Sequence, residues 1–314
     1  MAVMGWLLVM VAGTAAIVGG AELFTDHLAA ASRRLGISAF ALALLLAGAE
    51  PEELATVIAA SARGVDGVAF GDVIGANAAI ITVALGVGAV VAPLPFGAGP
   101  RRYALAGLAA AMVAGIVIWD GAVSRAEGGV LVTGYVVFVA AIWRLERRPP
   151  ALGETGELAG NGPSESRVGP DLVLVVVGLA MLTAGSLALV EAVRHISGAE
   201  TTQTRLGLLV VGFATAFELV VLASSASRRG VAEAAVGGVV GSFAYNLTMS
   251  LGAGAVVAPI AVADASTLHP PFVVMAALLV LVLVVSGSHG SLGRDRGLVL
   301  LTAYLAFVAA ALVG

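Results

Sequence analysis

The chain has 314 residues, of which 60% are apolar and 11% charged, with a mean hydropathy of +1.04 and a formal net charge of −4. Such a composition excludes a soluble globular fold. The small net charge says little, because few of the charged groups meet water-soluble partners. No nucleic-acid partner is expected, and the absence of cysteine excludes disulfide and thiolate chemistry.

The charges collect in clusters separated by apolar stretches of roughly 17–25 residues, the length with which a helix crosses about 30 Å of hydrocarbon. Ten spans are expected, near residues 4–22, 37–61, 68–92, 103–120, 127–143, 171–191, 205–226, 231–258, 270–287 and 297–313. The first follows Met1 with neither a basic leader nor a defined cleavage site, so it is expected to stay in the mature chain. His27, His195, His269 and His289 fall near span ends and read as interfacial residues rather than ligands.

The second span carries Glu50, Glu52 and Glu53 in LLLAGAEPEELATVIAASARG. A carboxylate at bilayer depth costs several kcal/mol unless it is paired, protonated or facing a water-filled cavity, so it marks function. Turning 100° per residue, a continuous helix places Glu50 and Glu53 on adjoining faces and sends Glu52 away. Pro51 and Gly48 predict a break at which backbone carbonyls are freed as oxygen ligands. The third span opens on Gly71, Asp72 and Gly75; Asp72 reads equally as an interfacial helix start or a cavity-lining acid. A Pro-, Gly- and Glu-rich linker, 144–170, follows the fifth span. Beyond it, Glu218 stands among apolar residues in VVGFATAFELVVLASSASRRG, one turn after Thr215, and Ser242 and Asn246 are four residues apart and share a helix face.

The linker separates five spans from five. Gly20 and Gly185 open similar stretches 165 residues apart, and the same offset sets Asp26 on Glu191 and Glu53 on Glu218. One extra Arg in the second loop makes the offset 166, pairing Gly75 with Gly241. With an odd number of spans per repeat, the halves run in opposite directions, the plan of many secondary transporters. The expected fold is therefore all-α and polytopic, with ten transmembrane helices in two inverted five-helix repeats, 1–143 and 171–314.

All sixteen basic residues are Arg. With the first terminus outside, twelve fall in cytoplasmic loops and only Arg63, Arg125, Arg194 and Arg205 outside, which predicts both termini outside a cell or inner membrane. Helical spans exclude an outer-membrane barrel.

These segments resemble the calcium/cation antiporter superfamily, most nearly its prokaryotic sodium/calcium exchanger branch, over essentially the whole chain. That family carries two inverted repeats, each with a GTSLPEL-like and a GNxxGSNxxN/D-like element. Gly48-Ala49-Glu50-Pro51-Glu52-Glu53-Leu54 and Phe213-Ala214-Thr215-Ala216-Phe217-Glu218-Leu219 resemble the first. Gly71-Asp72-Val73-Ile74-Gly75-Ala76-Asn77-Ala78-Ala79-Ile80 and Gly237-Gly238-Val239-Val240-Gly241-Ser242-Phe243-Ala244-Tyr245-Asn246 resemble the second. The resemblance implies a metal-ion site with Glu53 and Glu218 as central ligands, Thr215, Ser242 and Asn246 as neutral oxygens, and Glu50 at a Ser position. Ala76 and Ile80 lack the first half's oxygens, and Glu52 takes the motif proline's place unless Pro51-Glu52 aligns one residue over.

The expected function is secondary active antiport: Ca²⁺ exported against Na⁺ or H⁺ by alternating access, in a lipid bilayer, with no cofactor. Oxygen ligands in irregular geometry suit Ca²⁺. Three carboxylates in one cavity cannot all stay ionised when it is empty, which favours a proton-linked role for Glu50. Two readings compete: a membrane scaffold without transport, and an intramembrane hydrolase suggested by Phe70-Gly71-Asp72. The transported ion and oligomeric state are not legible in the sequence.

Overall fold

The computed structural model describes residues 2–34, 50–146, 168–229, 232–287 and 290–313. Gly48, most of the linker, His289 and the first part of the second expected span lie outside the described residues.

The first half comprises α1 (Ala2–Arg34), α2 (Pro51–Ala62), α3 (Asp66–Ala79), a π-helical turn (Ile80–Ala84), α4 (Leu85–Val91), β1 (Leu94–Pro95), α5 (Ala98–Ile118), β2 (Ala122–Val123) and α6 (Arg125–Glu146). The second begins with α7 (Val168–Ile196) and α8 (Glu200–Leu206), then a π-helical turn (Gly207–Val211), α9 (Gly212–Thr215) and α10 (Phe217–Arg229). It continues with α11 (Ala232–Tyr245), a π-helical turn (Asn246–Ser250), α12 (Leu251–Val257), β3 (Ile260–Ala261), α13 (His269–Gly287), β4 (Ser291–Leu292) and α14 (Arg294–Val313). Eight of the described helical stretches are long and apolar enough to cross a membrane.

Burial sorts them. In Asp66–Val91 and Val236–Val257, 83% of the apolar window is buried, against 22% in Arg294–Val313, so α3–α4 and α11–α12 form the centre and α14 faces outward. The exposed surface of the outer helices is apolar, with Ile116, Val176, Val284 and Leu305 open, as a hydrocarbon surround permits.

Small residues set how closely the helices approach. Where α1 crosses α7, a methyl on Gly13 would come within 2.9 Å of the Gly185 carbonyl oxygen, and one on Gly185 within 2.7 Å of that of Gly13. Where α3 meets the turn after α8, a methyl on Gly71 would lie 2.7 Å from Gly207 Cα, and one on Gly75 would overlap the Leu208 carbonyl. Only glycine permits such backbone contact.

Corresponding parts of the halves contact each other in exchanged pairs. β1 pairs antiparallel with β4, and β2 with β3. Gly121 and Gly290, each at the turn before one of these later strands, have φ of 80° and 64°, the left-handed region where a side chain is disfavoured. Gly86 lies against Gly297, and Gly128 against Gly252. The π-helical turns at Ile80–Ala84 and Asn246–Ser250 stand 166 residues apart, matching the offset of the glycine motifs.

The interfacial histidines sit as expected among the described residues. His195 stacks on Trp6 at 4.0 Å, His269 stacks on Trp119 at 4.1 Å, and His27 Nδ1 lies 2.9 Å from Asp171 Oδ1, joining α1 to α7.

Candidate functional site

The acidic stretch of the second span begins outside a helix. Glu50 precedes α2 with φ −128° and ψ 63°, and Pro51 takes the first helical position, where its missing N–H costs nothing. A turn of 100° per residue therefore does not extend back to Glu50. Glu50, Glu52 and Glu53 are all buried, at 1%, 2% and 0% exposure, so Glu52 is turned to the interior as well. All three interact with the ring hydroxyl of Tyr245 at the end of α11, and Glu53 interacts with both Glu50 and Glu52.

Asp72 resolves to the interior. It lies in the middle of α3, fully buried, in electrostatic contact with Glu53. Its Oδ1 accepts a hydrogen bond of 2.9 Å from Thr215 Oγ1. Thr215 ends α9 where the seventh expected span breaks at Ala216, and Glu218 follows in the first turn of α10, 9% exposed. The hydrogen bond from Thr215 to Asp72 thus links the broken stretch of the second half to α3 of the first.

The second-half polar pair behaves unequally. Ser242 donates to the Gly238 carbonyl on its own helix at 3.1 Å, as a buried serine commonly does. Asn246 sits in the π-helical turn and donates through Nδ2 to Asn77 Oδ1 at 3.3 Å, while Asn77 Nδ2 donates to the Phe243 carbonyl at 3.2 Å. That carbonyl can only accept, which fixes Asn77's amide and in turn leaves Asn246 Oδ1 directed away from the pair, buried and without a hydrogen-bond partner.

Asn77, Asp72 and Tyr245 were not among the expected site residues. For Asn77 a signal existed: an amide in an otherwise apolar run at membrane depth. Tyr245 and its edge-on neighbour Tyr135, with ring centroids 5.3 Å apart, gave no such signal, because tyrosine is equally at home in an apolar core. Among the described residues, no three acidic or histidine side chains converge tightly enough to hold a metal ion by themselves. A cation bound here would need neutral oxygens beside the carboxylates.

A polytopic helical membrane protein with buried carboxylates, one of them hydrogen-bonded to a threonine of the other half, suits the class of ion transporters. The chain matches the family described as sodium/calcium exchanger protein over residues 5–144 and 171–313, and it belongs to that family. It is a membrane transporter rather than an enzyme, which removes the hydrolase reading of Phe70-Gly71-Asp72. CaxA of Alkalimonas amylolytica, which carries an antiporter name, is 25% identical over 303 residues, 94% of this chain and 95% of that protein. The sodium/calcium exchanger MaX1 of Methanosarcina acetivorans is 26% identical over 341 residues, 96% of this chain and 97% of its own. Among solved structures, the sodium-calcium exchanger NCX_Mj, soaked with Na⁺ and Ca²⁺, shares the fold with a TM-score of 0.63 at 22% identity, covering 97% of each chain.

Proposed function

We propose that this chain is an alternating-access antiporter that exports Ca²⁺ in exchange for Na⁺ or H⁺, with Glu53 and Glu218 as central ligands. Glu50, Thr215, Ser242 and Asn246 complete the oxygen set. The observation that carries this reading is the buried hydrogen bond of 2.9 Å from Thr215 Oγ1, in the acidic stretch of the second half, to Asp72 Oδ1 in the first. Membership of the sodium/calcium exchanger family supports it, as do the names of CaxA and MaX1.

Ten spans in two inverted repeats, 1–143 and 171–314, joined by the linker 144–170, are the architecture we infer. Supporting it are the exchanged strand pairs, the matching π-helical turns and the reciprocal glycine contacts. With both termini outside, Arg63 and Arg194, which both pair with Glu191, fall on the same side, as do Arg125 and the α12 carbonyls it donates to. A reporter fused after Gly314 is expected to report the outside of the cell membrane; a cytoplasmic signal overturns this topology.

The crowding of carboxylates favours H⁺ as the counter-ion, since a proton can relieve the repulsion that a departing cation leaves behind. Uptake of radioactive calcium into vesicles containing the protein, under imposed Na⁺ or H⁺ gradients, tests the proposal. Uptake driven by one gradient assigns the counter-ion. Indifference to both gradients returns the chain to the scaffold reading.

A further inference from the structure

Asp72 stands where the element it resembles has asparagine, and the corresponding residue of the second half is Gly238. A neutral residue therefore suits this place in the fold, and the carboxylate needs its own explanation. Satisfying Thr215 does not provide one, because the Val211 and Gly212 carbonyls lie 3.2 and 3.3 Å from the same hydroxyl and can accept its proton. Structural packing does not provide one either, since a buried carboxylate at membrane depth costs free energy that asparagine would avoid.

Asp72 is fully buried, its Oδ2 has no hydrogen-bond partner, and among the described residues no cationic side chain pairs with it. One oxygen is held by Thr215, so the carboxyl plane is fixed while the other oxygen is left unmatched beside Glu53. An unmatched, oriented, buried carboxyl oxygen is what a bound cation would satisfy.

We propose that Asp72 is itself a ligand of the transported cation, supplying through Oδ2 an oxygen in the half where Ala76 and Ile80 have none; since no three carboxylates converge among the described residues without an ion, the cation itself draws them together. The inference rests on the antiporter reading and deepens it: the site is more anionic on its first-half side than the motif glutamates alone make it, which suits a divalent ion over a monovalent one. Affinity in oxygen-ligand sites follows the number of charged ligands.

The test is equilibrium binding of radioactive Ca²⁺ to the full-length protein in lipid nanodiscs, comparing wild type, Asp72→Asn, Asp72→Ala and Thr215→Val, with melting measured without cation. Asp72→Asn keeps an acceptor for Thr215 and removes only the charge. It is expected to melt like wild type and to bind Ca²⁺ roughly tenfold more weakly, with Asp72→Ala weaker still. Thr215→Val, which removes a neutral oxygen rather than a charged one, is expected to cost less than Asp72→Asn. Wild-type affinity in Asp72→Asn reduces Asp72 to a support for the threonine and overturns the inference. An Asp72→Asn protein that no longer folds also overturns it, since a neutral residue would then not suit the position. A wild type that binds no Ca²⁺ sinks the antiporter reading as well, so the two failures are distinguishable.

Discussion

The two sides of the proposed site differ in chemistry more than in backbone. The first half buries Glu50, Glu52, Glu53 and Asp72; the second buries Glu218 and the neutral side chains of Thr215, Ser242 and Asn246. Yet the π-helical turns, strand pairs and glycine contacts of the halves correspond. Close packing and backbone geometry can therefore be kept while buried charge is distributed unequally between the halves.

The sharpest way to break this comparison is to neutralise the two corresponding glutamates. Contact between unit charges near 4 Å is worth about 4 kcal/mol at an effective dielectric constant of about 20. Glu53→Gln and Glu218→Gln are accordingly each expected to lower calcium-dependent flux by at least about a hundredfold. If vesicle uptake survives one substitution and not the other, the halves do not share a central site.

Within the first half, Glu50→Gln is expected to weaken Ca²⁺ binding by about tenfold, as loss of one charged ligand. Glu52→Gln should weaken it less, yet measurably, because Glu52 is buried beside Tyr245 rather than turned away. Calcium titrations in nanodiscs decide the order, and a larger loss in Glu52→Gln would make Glu52 the motif glutamate.

The smallest effects test the backbone correspondence. In Gly252→Ala the added methyl would lie 2.7 Å from the Gly128 carbonyl oxygen, and in Gly86→Ala 3.0 Å from that of Gly297. Overpacking of this kind costs about 1–3 kcal/mol. Thermal unfolding should show similar losses for the two, and a large disparity would separate the halves structurally.

The helical membrane class was legible because membrane depth makes the sequence code simple: apolar length gives spans, eight of which the described residues contain. The site was less legible for local reasons. Helical periodicity could not relate Glu50 to Glu52 and Glu53 because the helix begins after Glu50, a fact set by Pro51 and the backbone angles before it. Asp72 remained open between interface and interior because its burial depends on the glycine-mediated approach of α3 to the turn after α8, far away in sequence. Asn77 works only through Asn246, and such a pairing across 169 residues leaves no local pattern.

The exchanged strands carry one more consequence. Because β1 holds β4 and β2 holds β3, the halves are buckled together twice, with equivalent fastenings. Distorting either buckle should cost about the same, so in an alternating-access cycle the scaffold itself would have no preferred side. Any resting bias toward one face of the membrane would then have to come from the residues that break the likeness of the halves, chief among them Glu50 and Asp72.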